Sequence, residues 1–547
     1  MISSKYGVVY TPPALSDFVG NLLGKILDKD EELNIRTVVD PACGEGILLH
    51  ALQPYMDDDV KYVGIDVDVD IVSVIADDIH LYHNDSILPS GTRKPTADYW
   101  KKTIGDIQAI IANPPWSSEK IYAREDLESA GFALLKGQYD SYVLFIQLAY
   151  QLLQNNGYFA FILPDSLYDA QNEELRRFLA TQTQIKVIAR LGEKIFENVN
   201  RATTVIICKK ATPTDSSETI CFRLSTNERK AFLAGNGKLI DYYERGKHTV
   251  SQTRFATNTS YNFDVDTHTE EESLLQKIKK QGYSLNEIFQ FGRGVEVSKS
   301  GQVTICPICK YAQGYTKKQL AEGKKACVSC GQEVDVDEHT VKKIITSEPV
   351  EGSSKIIVGE DVHRYSCRCN SYIMTGISGI NYKDESLYTA PKLIVRKTGL
   401  GIYAAIDYDG HKTSQTVYIL NYKDKKRSVP LEFYLGVLNS RVIYYFYLKT
   451  YGENEWKSHP YLTKQIIFDL PVAKYEGDEL DDRIVELVKM INSADQYDHR
   501  RDVELEKLIF KKYGLTKEET EIIISEMNSL PELSSINDMK IKDIEYV

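Results

Sequence analysis

The chain of 547 residues carries a net charge of −12, with 26% charged and 42% hydrophobic residues, enough for two or three domains with cores of their own. It holds no basic segment leading into an apolar one and no run of about 18 apolar residues, which argues against a secretion signal and a membrane span and for the cytoplasm. The acidic balance weighs against a nucleic-acid partner, but residues 301–470 hold 23 Lys and Arg against 18 Asp and Glu, a net +5 against −17 elsewhere, so a polyanion has a place to land.

From residue 36 to 225, short apolar runs alternate with amphipathic stretches. Strands are expected at RTVVD (36–40), KYVGID (61–66), IHLYHND (79–85), DIQAIIAN (106–113), GYFAFILP (157–164), IKVIARL (185–191) and TTVIICK (203–209). Helical spacing marks YTPPALSDFVGNLLGKIL near the start and YDSYVLFIQLAYQLL (139–153). This alternation predicts an α/β domain over 1–225, a doubly wound, Rossmann-like parallel sheet covered by helices on both faces. Connecting helices are expected over 226–282, then a mainly β (α+β) domain over 283–475, then a helical, acidic segment over 476–547.

Chemistry concentrates at the ends of the predicted strands. VVDPACGEGILL (38–49) follows the first one, where Gly44 and Gly46 permit a tight turn and the next helix presents free N–H groups. Asp66 ends the second strand, placed to accept both hydroxyls of a ribose, and Asp85 ends the third, placed to meet an adenine amino group. Acids at strand ends are also common helix caps, so the structural reading of both stays open. IIANPPWSS (110–118) ends the fourth. Pro114 and Pro115 stop the ladder and stiffen the exit, so Asn113 and Trp116 offer a rigid amide beside a flat ring, a grip on a planar hydrogen-bonding group such as a nucleobase.

The motif order resembles the S-adenosylmethionine-dependent DNA amino-methyltransferases, in particular adenine-N6 enzymes of the gamma class. KYGVVYTPPALSDFVGNLL (5–23) resembles their N-terminal cofactor motif, DPACGEG (40–46) their DPxxGxG turn, and NPPW their (D/N/S)PP(Y/F/W) tetrapeptide. The resemblance implies S-adenosylmethionine as cofactor, held by Tyr10, Thr11, Pro12, Asp40, Pro41, Ala42, Gly44, Gly46, Asp66, Asp85 and Asn113. It implies catalysis by Asn113, Pro114, Pro115 and Trp116 on an adenine rotated out of double-stranded DNA. Trp116 would stack on that base, and Phe196, within GEKIFENVNRATTVIICKK (192–210), would help to hold it. An aromatic after a strand is more usually core. The family also implies the modification half of a restriction-modification system, with cleavage left to a separate endonuclease and a monomer acting on DNA. Cytosine-N4, RNA or protein methylation, and a non-catalytic DNA-binding module, are the competing readings.

FGRGVEVSK (291–299) and LEFYLGVLNSRVIYYFYL (431–448) are similar to segments of the target-recognition domain fused to such enzymes. Lys317, Lys318, Lys392, Arg396, Lys397, Lys425, Lys426 and Arg427 are its candidate DNA contacts, against the alternative of an ordinary lysine-rich surface. Six of the nine cysteines lie between 306 and 369. Cys306-Pro-Ile-Cys309 and Cys327-Val-Ser-Cys330, separated by 17 residues, suit a structural zinc in a ribbon at about 303–333. Cys367 and Cys369 are expected to be unpaired core thiols.

Overall fold

The computed structural model describes residues 10–528 apart from 69–77, 92–94, 117–120, 136–139, 198–200, 299–300, 400, 425–428, 452–461 and 495–497. The described residues fall into two compact units, one within Met1–Glu271 and Lys449–Ser458, the other within Glu272–Leu448 and His459–Val547.

The first unit is built on nine strands: β1 (Thr37–Asp40), β2 (Lys61–Asp66), β3 (Ile79–His83), β4 (Ile107–Ala112), β5 (Leu153–Pro164), β6 (Gln184–Gly192), β7 (Thr203–Lys209), β8 (Glu218–Arg223) and β9 (His248–Ser251). Their order in the sheet is β3-β2-β1-β4-β5-β7-β6-β8-β9. Strands β1 and β4 are buried along their whole length because both faces are covered. On β4, Ala109 and Ile111 face the helices Pro13–Asp28 and Ile47–Leu52, while Ile107 and Ile110 pack with Trp100 and the helix Tyr142–Leu152 on the other side.

The seven expected strands are present, but the sheet is mixed rather than parallel. β7 runs antiparallel to both β5 and β6. Residues 193–202 between β6 and β7 are too few for the crossover of a dozen or more that a parallel return needs. The unit also extends past residue 225, because β9 adds an antiparallel edge to β8.

The second unit holds two four-stranded sheets. One is antiparallel and contains Phe289–Arg293, Val417–Tyr422, Lys392–Arg396 and Ala404–Asp407 in that order. The other orders Ile345–Thr346, Ser371–Met374, Ser353–Ile357 and Lys412–Thr413. The helices Glu479–Asn492 and His499–Lys512 belong to this same unit, which gives the expected C-terminal helical segment a structural role.

A buried ionic network binds the second of these helices. Arg441 Nη1 donates to Asp502 at 3.1 Å and to Glu506 at 2.9 Å, and Arg364 Nη2 meets Asp502 at 3.0 Å and the Asn439 carbonyl at 3.0 Å. Asp502 and Glu506 are fully buried. A pair so deeply desolvated adds little net stability while intact, but losing one member leaves an uncompensated charge. Arg441→Met is therefore expected to lower the unfolding free energy of this unit by about 3–5 kcal/mol. Urea titration followed by circular dichroism checks this, and a loss under about 1 kcal/mol would remove the network from the forces that hold the helix.

Candidate active site and cysteine cluster

β1 pairs in parallel with β2 on one side and β4 on the other, Val38 opposite Ala109 and Val39 opposite Ile110. The strand order reverses between them, and the turns after β1 to β4 gather at this carboxyl edge. After β1 the chain turns through Pro41 to Gly46 into the helix Ile47–Leu52, with Gly44 at φ +48° and Gly46 at φ +75°. A Cβ on Gly46 would lie 2.8 Å from Ile79 Cδ1, whereas one on Gly44 would enter open space. Position 46 thus favours glycine for its torsion, since the tip of Ile79 can shift, and Gly44 leaves clear volume above the turn.

The acids brace this turn. Asp40 is buried and its Oδ1 accepts the Ala42 N–H at 2.9 Å. Burial pushes its carboxyl up to about 8, opposed by the Ala42 N–H and reinforced by Asp66. Asp66 Oδ2 accepts the Gly44 N–H at 2.8 Å and its Oδ1 the Asp68 N–H at 2.9 Å. Asp85 Oδ1 accepts the N–H groups of Ile87 at 2.8 Å and Leu88 at 3.1 Å in a local turn that no helix follows directly, and Tyr122 Oη approaches its two oxygens at 3.2 and 3.0 Å. Ser86 Oγ donates to the Pro41 carbonyl at 2.5 Å, which ties the third turn to the first.

Asn113 leaves β4 half-buried, and its Nδ2 donates to Thr11 Oγ1 at 3.1 Å. The N-terminal segment and the tetrapeptide, 102 residues apart, therefore meet as the motif order requires. Pro12 is half-buried beside Thr11, and Tyr10 is 53% exposed. Pro114 is buried, and the Pro115 carbonyl accepts a hydrogen bond from Ser141 Oγ. Behind Ser141, Asp140 accepts from Ser166 Oγ at 2.5 Å and Asn172 donates to Tyr142 Oη at 3.0 Å, all in the interior.

Trp116 and Phe196 are brought together, ring centroids 5.1 Å apart and edge to face at 80°. Both are buried, Trp116 at 6% and Phe196 at 2% exposure, and Trp116 Nε1 donates to the Ile162 carbonyl at 3.3 Å. Sequence reasoning missed Ser86, Tyr122 and Ser141. Ser141 stands at the head of an apolar helix, where a serine reads as an ordinary cap.

The candidate DNA contacts divide. Lys392 is fully buried, in an ion pair with Asp407 and donating to the Tyr388 carbonyl at 3.1 Å, so it cannot reach a phosphate and that expectation is corrected. Its strand is central in its sheet and pairs it directly with Asp407. Arg396 is half-buried, donates to the Thr398 carbonyl at 2.6 Å and lies over the Tyr403 ring. Lys397, also half-buried, lies over Tyr418. Lys317 and Lys318 are exposed on the helix Lys317–Glu322. Lys425, Lys426 and Arg427 fall outside the described residues.

The sulfur atoms of Cys306, Cys309, Cys327 and Cys330 all lie within 4.8 Å of one another. Cys306 is 3.7 Å from Cys330, and Cys309 is 3.6 Å from Cys327. Each pair sits on a knuckle closed by a left-handed residue, Lys310 at φ +60° and Gly331 at φ +74°. Amide N–H groups of Cys309 and Ile308 aimed at Cys306 lower its thiol pKa, and those of Cys330 and Ser329 bring Cys327 to about 7. Cys367 and Cys369 lie apart from this group, half-buried and in contact with the Ile406 and Ser371 carbonyls. No helix among the described residues is long and apolar enough to cross a membrane.

Comparison with known proteins agrees with this layout. Residues 354–472 match the TaqI-like C-terminal specificity domain. The type II methyltransferase M.VspI of Vibrio sp. (strain 343) is 27% identical over 224 residues, 40% of this chain and 51% of that protein. The MjaVII type I restriction enzyme methylase subunit of Methanocaldococcus jannaschii is 24% identical over 345 residues, 53% of this chain and 56% of that one. The chain thus spans about half the length of these curated relatives. In fold it is similar to a nuclease-deletion mutant of the type ISP restriction-modification enzyme LlaGI, with a TM-score of 0.51 at 14% identity over 89% of this chain and 55% of that one. Residues 2–287 match the N-6 DNA methylase family, and with the ordered turns of its sheet and a match over more than half its length, the chain belongs to that family.

Proposed function

We propose that the protein methylates the exocyclic N6 of an adenine in double-stranded DNA, as the modification component of a restriction-modification system in which a separate endonuclease cleaves. The observation that carries this reading is the oriented Asn113 amide, held through Thr11 beside the glycine turn on one sheet edge. The open volume over Gly44 and the donor set around it fit S-adenosylmethionine. Asp66, each of whose carboxylate oxygens accepts one N–H, and Asp85, through the Oδ2 that Tyr122 approaches, keep lone pairs with which they would hold its adenosine. When bound, the cofactor supplies an electrophilic methyl group.

The rest is positioning by this chain. Rotating the base out of the duplex costs a few kcal/mol in stacking and pairing. The Asn113 amide oxygen and the Pro114 carbonyl would accept hydrogen bonds from the adenine amino group, keeping the nitrogen lone pair out of the ring and aimed at the methyl carbon. Ser141 holds the next carbonyl of the same turn. The Trp116 and Phe196 pair would meet the base from the apolar side. No covalent nucleophile is required.

Incubation of the protein with unmethylated genomic DNA and methyl-labelled cofactor, followed by nucleoside analysis and modification-sensitive sequencing, is expected to give N6-methyladenine at one recurring motif. Asn113→Ala should cut the rate about 100- to 1,000-fold, the usual effect of losing one transition-state hydrogen-bonding group. N4-methylcytosine would overturn the adenine assignment. Cofactor binding without label in DNA would move RNA or protein substrates forward.

A structural zinc on the four cysteines is proposed as well. Zinc with sulfur bonds of about 2.3 Å requires thiolates about 3.8 Å apart in a tetrahedron, close to the separations between these sulfurs. Four thiolates close the sphere, so the ion has no open position for catalysis. Elemental analysis is expected to find one zinc per chain, lost in Cys309→Ser. Chelation should melt the ribbon while leaving cofactor binding unchanged.

A further inference from the structure

In the second unit, a polar cleft of about 420 Å³ opens beside the paired strands Ser353–Ile357 and Lys412–Thr413. Lys355, Thr375, Tyr382, Glu385, His411 and Lys412 line it, all within the stretch matched by the TaqI-like specificity domain. Lys412 is 9% exposed, its ammonium paired with Glu385 and held 4.9 Å from the centre of the Tyr388 ring. Lys355 is exposed, and Tyr382 Oη is fixed by donation to the Met374 carbonyl at 2.7 Å.

The lining mixes ammonium donors with a carboxylate acceptor and hydroxyls. A phosphate site would present donors only, and Glu385 would repel a phosphate. A base edge in the major groove offers donors and acceptors together: lysine suits guanine O6 and N7, and glutamate accepts from the cytosine amino group. We infer that this cleft reads base edges of the recognition sequence, with Lys355, Glu385, His411 and Lys412 as its specificity-determining residues.

The buried Lys392–Asp407 pair gains a purpose here. Asp407 also accepts the His411 N–H at 2.8 Å and approaches His411 Nδ1 at 3.2 Å, so it fixes both the backbone and the imidazole that form one wall. A buried ion pair contributes little stability. Beneath a recognition surface it sets the position of the groups above, and Lys392 is a positioning residue one layer under the contacts.

This assignment rests on reading the second unit as the DNA-recognising one. The test is selection of bound duplexes from a randomised pool by the full chain, wild type against Lys355→Ala and His411→Ala, with binding measured over a range of salt. The expected result is a motif relaxed at one or two base pairs, discrimination there falling about 5- to 150-fold while the other positions hold. Lys355 is exposed, so its variant keeps the fold testable. An unchanged motif in both variants overturns the inference. So does a loss uniform across sequences with a shallower salt slope, which would make these residues phosphate contacts. A wild-type motif that relaxes in the variants while no adenine is methylated would uphold the cleft and refute the catalytic reading alone.

Discussion

The parallel pairing of β1 with β4 is the constraint on which the candidate active site depends. It sets Asp40 and Asn113 at neighbouring strand ends, at the point where the strand order reverses and a doubly wound sheet opens a crevice. The other turns are then cross-linked to this one: Asp66 to the Gly44 amide, Ser86 to the Pro41 carbonyl, Thr11 to the Asn113 amide. Three successive strand ends thus hold one another in place, and the tetrapeptide is fixed from behind through Ser141. Such cross-bracing favours chemistry that works by orientation rather than by a covalent step.

The second unit uses buried charge for a similar purpose. Arg364 and Arg441 meet Asp502 and Glu506 in the interior, and Lys392 meets Asp407. Apolar residues of equal volume often fill such places without loss of stability, so these pairs add little while intact. The four cysteines are the opposite case. Among the described residues their buried cluster holds Cys306, Cys327 and Val334, with Cys309 and Tyr311 packed against it, a small core for ordering two knuckles.

Strand direction and partnership explain where sequence reading fell short. β7 is as apolar as its neighbours, and a two-residue alternation has no polarity, so nothing in TTVIICK tells a parallel strand from an antiparallel one. Only the short connection after Gly192 hinted at the reversal. Lys392, in a run with Arg396 and Lys397, resembled a basic surface patch. Its partner Asp407 lies 15 residues on and directly across the hairpin, so only the register reveals the pair.

The sequence by itself determined the order of the first seven strands, the four turns that carry the candidate site and the two cysteine knuckles, because each is written in local periodicity, in glycine and proline torsions or in short ligand spacing. Tertiary structure alone decided which polar groups are contacts and which are supports. Asp502 and Glu506 are an ordinary helical pair of acids until Arg364 and Arg441, 61 residues or more upstream, bury them. Trp116 and Phe196 meet edge to face only in the folded chain. Burial and pairing depend on what arrives from far along the chain, and a local pattern carries no record of that.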